Sequence, residues 1–116
     1  MEINKNHKKI IKILIKELKK NYETIIKKVS NETGIKEKWL ELELKDALFA
    51  LKYLPLQSER ILKKSKIDVP KYNKKGFMDF TPKGRVLQIL PSSTPILSCV
   101  FLPFCASLSG NKVIVK

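Results

Sequence analysis

The sequence has 116 residues, of which 24 are Lys or Arg, 11 are Asp or Glu and 43% are hydrophobic, so its formal charge is +13. This length allows one domain at most, and the apolar fraction excludes a disordered chain. All the acidic residues lie at or before Asp79, whereas residues 86–111 contain no Asp, Glu, Lys, Arg or His. We therefore expect two segments: residues 1–79, which are charged and helical and end in a connection, and residues 80–116, which are largely apolar.

The charged segment begins with a helical pattern. Apolar residues recur every three or four positions over residues 6–30, with lysines between them. This spacing predicts one amphipathic helix of about seven turns. Gly34 follows it and suits the left-handed backbone of a helix stop.

A second helical pattern covers residues 36–54. Pro55 is expected to break this helix, and Ser58 is placed to cap a short third helix over residues 59–64. Because the turn before the second helix is short, we expect the first two helices to pack as an antiparallel pair. Trp39 is predicted to be a packing anchor.

Residues 65–79 contain Pro70, Gly76 and several lysines, a composition typical of an irregular or extended connection. Phe77, Met78 and Phe80 suggest a short strand at its end.

The apolar segment has the pattern of a strand, a helix and a strand. Residues 85–90 predict a buried strand, and residues 112–116 predict a second one. Between them a helix is expected to begin at Pro95 and to end at Gly110. This order predicts a right-handed parallel βαβ unit and an α/β fold.

Two features bear on that helix. Ser93 or Thr94 is placed to cap its first turn, and Pro103 is expected to kink or shorten it. Residues 86–111 are long enough to span a bilayer, but only residues 96–108 are free of clusters of prolines and serines, and this part is too short to span. We predict no membrane span, with surface association through residues 96–108 as the alternative.

The cysteines indicate neither a metal site nor a disulfide framework. Cys99 and Cys105 lack a CxxC spacing, and the single histidine, His7, lies far from both. We expect two reduced core cysteines and a cytoplasmic location. Charged residues interrupt the apolar positions after the N-terminus, so no secretory signal is predicted.

The turn Pro91-Ser-Ser-Thr-Pro95 is the candidate functional site. In open parallel sheets, ligands bind beyond the carboxyl ends of the strands, where loop amides and a helix N-terminus favour anions and polar groups. No GxGxxG is present, so a capped turn without a ligand remains the alternative interpretation.

Two ordered motifs resemble a known family. Pro82-Lys-Gly84-Arg-Val-Leu-Gln-Ile-Leu-Pro91-Ser-Ser-Thr-Pro95, followed by Ser107-Leu-Ser-Gly110-Asn111-Lys-Val-Ile-Val-Lys116, resembles the start of the cofactor domain of the aldehyde dehydrogenase superfamily. The turn is most similar to that of the CoA-acylating branch. Asn31-Glu-Thr-Gly34, followed by a helix with Glu41 or Glu43 early in it, resembles the family's N-terminal helical pair. The resemblance implies a Rossmann-type cofactor domain, of which residues 80–116 would be the beginning.

The resemblance also implies roles for individual residues. Backbone at Leu90, Pro91 and Ser92 would line the nicotinamide pocket, and Lys116 would contact the adenosine ribose of NAD or NADP. Ser93 stands where the family has the Asn of its oxyanion hole. Its hydroxyl can donate one hydrogen bond but is shorter than an amide.

The family reaction is NAD(P)-dependent oxidation of an aldehyde, or reduction of an acyl-CoA, through a cysteine thiohemiacetal. The family's nucleophilic Cys and general-base Glu have no counterpart in the matched motifs, so we expect this chain to be inactive alone. A complementing C-terminal fragment or a homo-oligomer is the partner that the resemblance implies, and the aldehyde or acyl-CoA would bind only to the complete enzyme.

The charge supports a different hypothesis, a basic helical module that binds nucleic acid or another polyanion. Against it, the tyrosines are scattered and lysine greatly outnumbers arginine. We therefore expect no specific nucleic-acid partner.

Overall fold

The computed structural model describes residues 5–116. The predicted single first helix is wrong, because it is divided into α1 (Lys5–Lys20) and α2 (Tyr22–Thr33). Asn21 lies between them, and both its backbone N–H and its side-chain amide donate to the carbonyl of Glu17, at 3.0 and 2.9 Å. An asparagine side chain that bonds a backbone carbonyl four residues earlier competes with regular helix. The predicted stop is confirmed, since Gly34 has a φ of 73° and follows α2 directly.

Helix α3 (Glu37–Ile61) runs through Pro55, so the predicted break and the separate third helix are both wrong. Ser58 lies inside α3, where its hydroxyl donates to the carbonyl of Leu54 at 2.5 Å and caps nothing. The turn before Pro55 is held by packing: Leu51 is fully buried, and Leu54 contacts the same core cluster. This burial compensates for the backbone hydrogen bond that a proline removes.

The connection after α3 is a β-hairpin, which is more regular than predicted. Strand β1 (Ser65–Val69) pairs antiparallel with β2 (Lys74–Met78). A 3₁₀ turn (Pro70–Tyr72) and Asn73, in the left-handed region at a φ of 49°, join the two strands.

The predicted βαβ unit is confirmed. Strand β3 (Arg85–Gln88) pairs in parallel with β4 (Lys112–Val115), and α4 (Pro95–Leu108) connects them. Pro103 does not shorten α4. The prediction of a buried strand is wrong for one face, since Leu87 of β3 and its partner Ile114 of β4 are 63% and 55% exposed.

Two core clusters join the helices of the charged segment to α4. Ile11 of α1 and Leu51 of α3 pack with Phe104 and Leu108, while Ile26, Leu40 and Leu44 pack with Ile96. Ile11 of α1 thus lies beside Leu51, late in α3, and Ile26 of α2 lies beside Leu40, early in α3. This order of contacts confirms the antiparallel arrangement. The division between residues 79 and 80 stays a prediction, although both segments contribute to both clusters.

Two predicted core residues are not buried. Trp39 is 55% exposed, because its position on α3 lies away from the face formed by Leu40, Leu44 and Leu51. Cys99 is exposed on α4, whereas Cys105 is half-buried, and both thiols are free.

Candidate functional site

The carboxyl ends of β3 and β4 meet beside the candidate turn. The N–H of Leu90 donates to the carbonyl of Lys116 at 3.0 Å, and the N–H of Lys116 donates to the carbonyl of Gln88 at 2.9 Å. These bonds extend the parallel pairing beyond the last residue of each strand. They bring Leu90 into contact with Lys116, which lies 26 positions later in the sequence, and Pro91 and Ser92 follow Leu90 directly.

The turn itself is open to solvent. Pro91, Ser92 and Ser93 are exposed, and Leu90 is half-buried. The hydroxyl of Thr94 lies 2.6 Å from the hydroxyl of Ser98 and makes no capping bond to a backbone N–H. The predicted cap by Thr94 or Ser93 is therefore wrong, and the first turn of α4 takes its acceptor from elsewhere.

That acceptor is Glu43 of α3. Its Oε2 accepts hydrogen bonds from the N–H groups of Ile96 and Leu97, at 3.0 and 3.1 Å. Helix starts leave such N–H groups without partners in their own helix. From the sequence, Glu43 stood out only through the family resemblance. A local signal was present, since Glu43 lies three residues after Leu40 and four before Ala47, which places a carboxylate beside the buried face of α3.

The carboxylate changes the electrostatics of the turn. The start of a helix carries a partial positive charge that favours anions. Here a charge within the protein already occupies it, so a phosphate group approaching the first turn of α4 would meet a like charge. The expectation that this helix end favours an anionic ligand is therefore not supported.

The far end of α4 is tied to the turn before β3 by Asn111. Its Oδ1 accepts from the N–H groups of Lys83 and Gly84, at 2.7 and 3.1 Å, and its Nδ2 donates to the carbonyl of Ala106 at 3.2 Å. Gly84 has a φ of 102°, a backbone conformation that favours glycine. One side chain thus sets where β3 begins relative to the end of α4.

Comparison with known proteins decides the family. Residues 4–116, nearly the whole chain, match the model described as the aldehyde dehydrogenase family. The chain belongs to the aldehyde dehydrogenase family. No curated protein sequence matches it significantly.

Two solved structures have the same fold. Aldehyde dehydrogenase 21 from Physcomitrella patens, in complex with the reaction product succinate, is 22% identical with a TM-score of 0.78, over 95% of this chain and 24% of that one. The substrate-bound state of Staphylococcus aureus AldH is 27% identical with a TM-score of 0.73, over 95% of this chain and 25% of that one. The chain therefore spans about a quarter of the length of these aldehyde dehydrogenases.

The groups at the turn are chemically suited to one part of the nicotinamide dinucleotide that the family generally uses and not to another. Ser92 and Ser93 offer exposed hydroxyls, and Lys116 is exposed at the neighbouring strand end. Such groups suit the hydroxyl and amide groups of a nicotinamide riboside. The carboxylate of Glu43 at the first turn of α4 does not suit a pyrophosphate, so the phosphates would have to be held by other groups.

Cys105 does not have the surroundings of an activated nucleophile. Burial raises the pKa of the Cys105 thiol, which disfavours the reactive thiolate. Cys105 lines a cavity of about 190 Å³ between α3 and α4, together with Leu54, Ser58 and Leu108.

None of the helices in residues 5–116 is long and apolar enough to cross a membrane.

Proposed function

We propose that this chain forms the helical lead-in and the first βαβ unit of an NAD(P)-dependent oxidoreductase that acts on aldehydes, or on acyl-CoA in the reverse direction. The single observation that carries the proposal is the Leu90–Lys116 backbone bond, at 3.0 Å. It joins the residue before the Pro91–Pro95 turn to Lys116, directly after β4, at the edge where open parallel sheets bind their ligands.

Each residue of the edge has a role in this proposal. Backbone at Leu90, Pro91 and Ser92 would line the nicotinamide, which supplies the hydride acceptor when it is bound. The ammonium group of Lys116 would donate to ribose hydroxyls. Ser93 donates one hydrogen bond from its hydroxyl to the oxygen that becomes negative during attack on the aldehyde.

We further propose that residues 1–116 do not catalyse this reaction alone. Cys99 is exposed on α4, and Cys105 is held as a thiol against α3. Activity then requires a nucleophile and a general base from further polypeptide, either in one longer chain or as a complementing C-terminal fragment. A homo-oligomer is the other assembly that the family suggests, and the free thiols are compatible with the cytoplasm.

The exposed face of the β3–β4 sheet supports a need for further polypeptide. Leu87 and Ile114 pair across the strands, and Ile89 continues the same face at 77% exposure. Parallel sheets are normally covered on both faces, whereas here α4 covers only one. The other face therefore offers an apolar surface to additional elements of the cofactor domain.

Reconstitution tests the proposal. The chain is co-expressed with a polypeptide that corresponds to the remaining three quarters of Staphylococcus aureus AldH, and formation of NADH or NADPH is followed with a series of aldehydes. We expect no turnover by the chain alone, and both co-purification and turnover by the pair. Turnover by the chain alone would overturn the proposed inactivity, and a pair that co-purifies without turnover would contradict the proposed catalytic contribution.

Matched variants test the individual residues. Lys116→Ala is expected to raise the KM for the dinucleotide about tenfold, because one charge-assisted hydrogen bond is lost. Lys112→Ala removes an exposed lysine at the start of β4 and serves as its control. Ser93→Ala is expected to lower kcat by about tenfold or more, since its hydroxyl acts on developing charge. Equal effects of Lys116→Ala and Lys112→Ala would remove Lys116 from the site.

A further inference from the structure

The turn that carries Ser92 and Ser93 is anchored at both ends by different parts of the fold. Before the turn, the N–H of Leu90 is bonded to Lys116 in the sheet. After the turn, the N–H groups of Ile96 and Leu97 are bonded to Glu43 in α3. The bond between the hydroxyls of Thr94 and Ser98 joins two residues at the start of α4. It therefore does not fix α4 to any other part of the fold.

The anchor at Glu43 is rigidly mounted. Leu40 and Leu44, on either side of it, are fully buried, and Ile96 packs against both in the same core cluster. The carboxylate therefore extends to the first turn of α4 from a part of α3 whose core face is fully buried. One oxygen accepts both N–H groups, so the two bonds together restrict both the direction and the depth of that turn.

We propose that Glu43 is a positioning residue, whose carboxylate holds the Pro91–Pro95 turn, and with it Ser93, in the orientation that the edge of the sheet requires. This inference rests on the proposed function and adds a residue from the helical lead-in to its site. In this role Glu43 need not contact cofactor or substrate. It acts through the backbone of Ile96 and Leu97, which follows the turn directly.

Removal of the carboxylate tests this role in the 116-residue chain without any cofactor. Glu43→Ala removes the acceptor, whereas Glu43→Gln keeps an amide oxygen that can accept the same bonds without the charge. The matched controls are Glu41→Ala and Glu41→Gln, because Glu41 is a half-buried neighbour on α3 whose backbone carbonyl accepts a bond from Tyr22. The readouts are site-resolved amide exchange and amide chemical shifts.

For Glu43→Ala we expect the amides of Ile96 and Leu97 to exchange about ten- to a hundredfold faster, the range for loss of a hydrogen bond to a charged group. Shifts of Ser92 and Ser93 should change, while the amides of α3 and of the second half of α4 keep their protection. Glu43→Gln should restore most of the protection. Rescue by the amide distinguishes positioning through hydrogen bonds from a general contribution to stability.

Three results would overturn the proposal. The first is exchange of Ile96 and Leu97 in Glu43→Ala that matches Glu41→Ala. The second is a loss of protection that is equal over the whole chain. If Glu43→Ala does not fold, Glu43→Gln is compared with Glu41→Gln. The third result would then be a Glu43→Gln variant that does not fold, or one in which Ile96 and Leu97 lose their protection although the amide oxygen is present. Because no cofactor is present, these results are independent of reconstitution and separate failure of this inference from failure of the proposed function.

Discussion

Truncation of Leu44 is expected to be among the most destabilising single changes in the chain. Its side chain is fully buried where Ile26 of α2, Leu40 of α3 and Ile96 of α4 converge. Leu44→Ala removes three carbon atoms, a transfer loss of roughly 2.4 kcal/mol at about 0.8 kcal/mol for each. The cavity left between three helices adds to this, which gives a total of about 3–4 kcal/mol.

That loss is a large fraction of the available stability, since a domain of this size is stable by roughly 6–17 kcal/mol. Urea denaturation followed by far-UV circular dichroism measures it, with an expected fall in midpoint of about 1–3 M. Leu42→Ala is the control, because Leu42 lies two residues earlier on the same helix and is 51% exposed. A cost for Leu44→Ala below about 1 kcal/mol, or equal to that of Leu42→Ala, would refute the assignment of this core.

Further predictions concern the sheet, the motif asparagine and the thiols. Amides of β4 should exchange at least about tenfold faster than those of α2 and α3, because one face of the β3–β4 sheet is exposed; equal protection would contradict this. Asn111→Ala should destabilise the chain by about 1–3 kcal/mol in the same urea assay. Asn111→Asp should cost less, because it keeps the acceptor for the N–H groups of Lys83 and Gly84. Equal costs would argue against stabilisation through these two hydrogen bonds. A thiol reagent near neutral pH should modify exposed Cys99 first and Cys105 slowly. The slow phase should accelerate as the pH rises toward the raised pKa of Cys105. A fast phase that persists in Cys99→Ser would show the reverse order.

The sequence pattern correctly predicted the elements that depend on the backbone preferences of neighbouring residues. Gly34 ends α2 in the left-handed region, and Pro95 begins α4, because backbone preference alone favours these conformations. Two short β-rich segments around a helix predicted the parallel pairing of β3 and β4, since a crossover of this length has one favoured hand. The motifs around the turn predicted the family.

Local pattern failed where packing outweighed propensity. Pro55 lies within α3 because Leu51 and Leu54, on the turn before it, are held against the core. Trp39 is a large apolar residue of the kind often found in cores. Burial of Leu40 and Leu44 fixes which face of α3 packs against the core, and Trp39 lies on the other face. When a helix has apolar residues on two faces, the sequence pattern does not show which face will pack against the core.

The amino-acid sequence was sufficient to place the candidate turn, its residues and its family, because short motifs and backbone preferences encode them directly. It could not place Glu43 at the start of α4, 53 residues further along the chain. That contact depends on how α3 packs against α4, since a carboxylate finds its partners only when burial has brought two helices together. The strand-end lysine, Lys116, likewise meets Leu90 only through pairing of the strands, because hydrogen bonds between distant segments are settled by the assembled sheet.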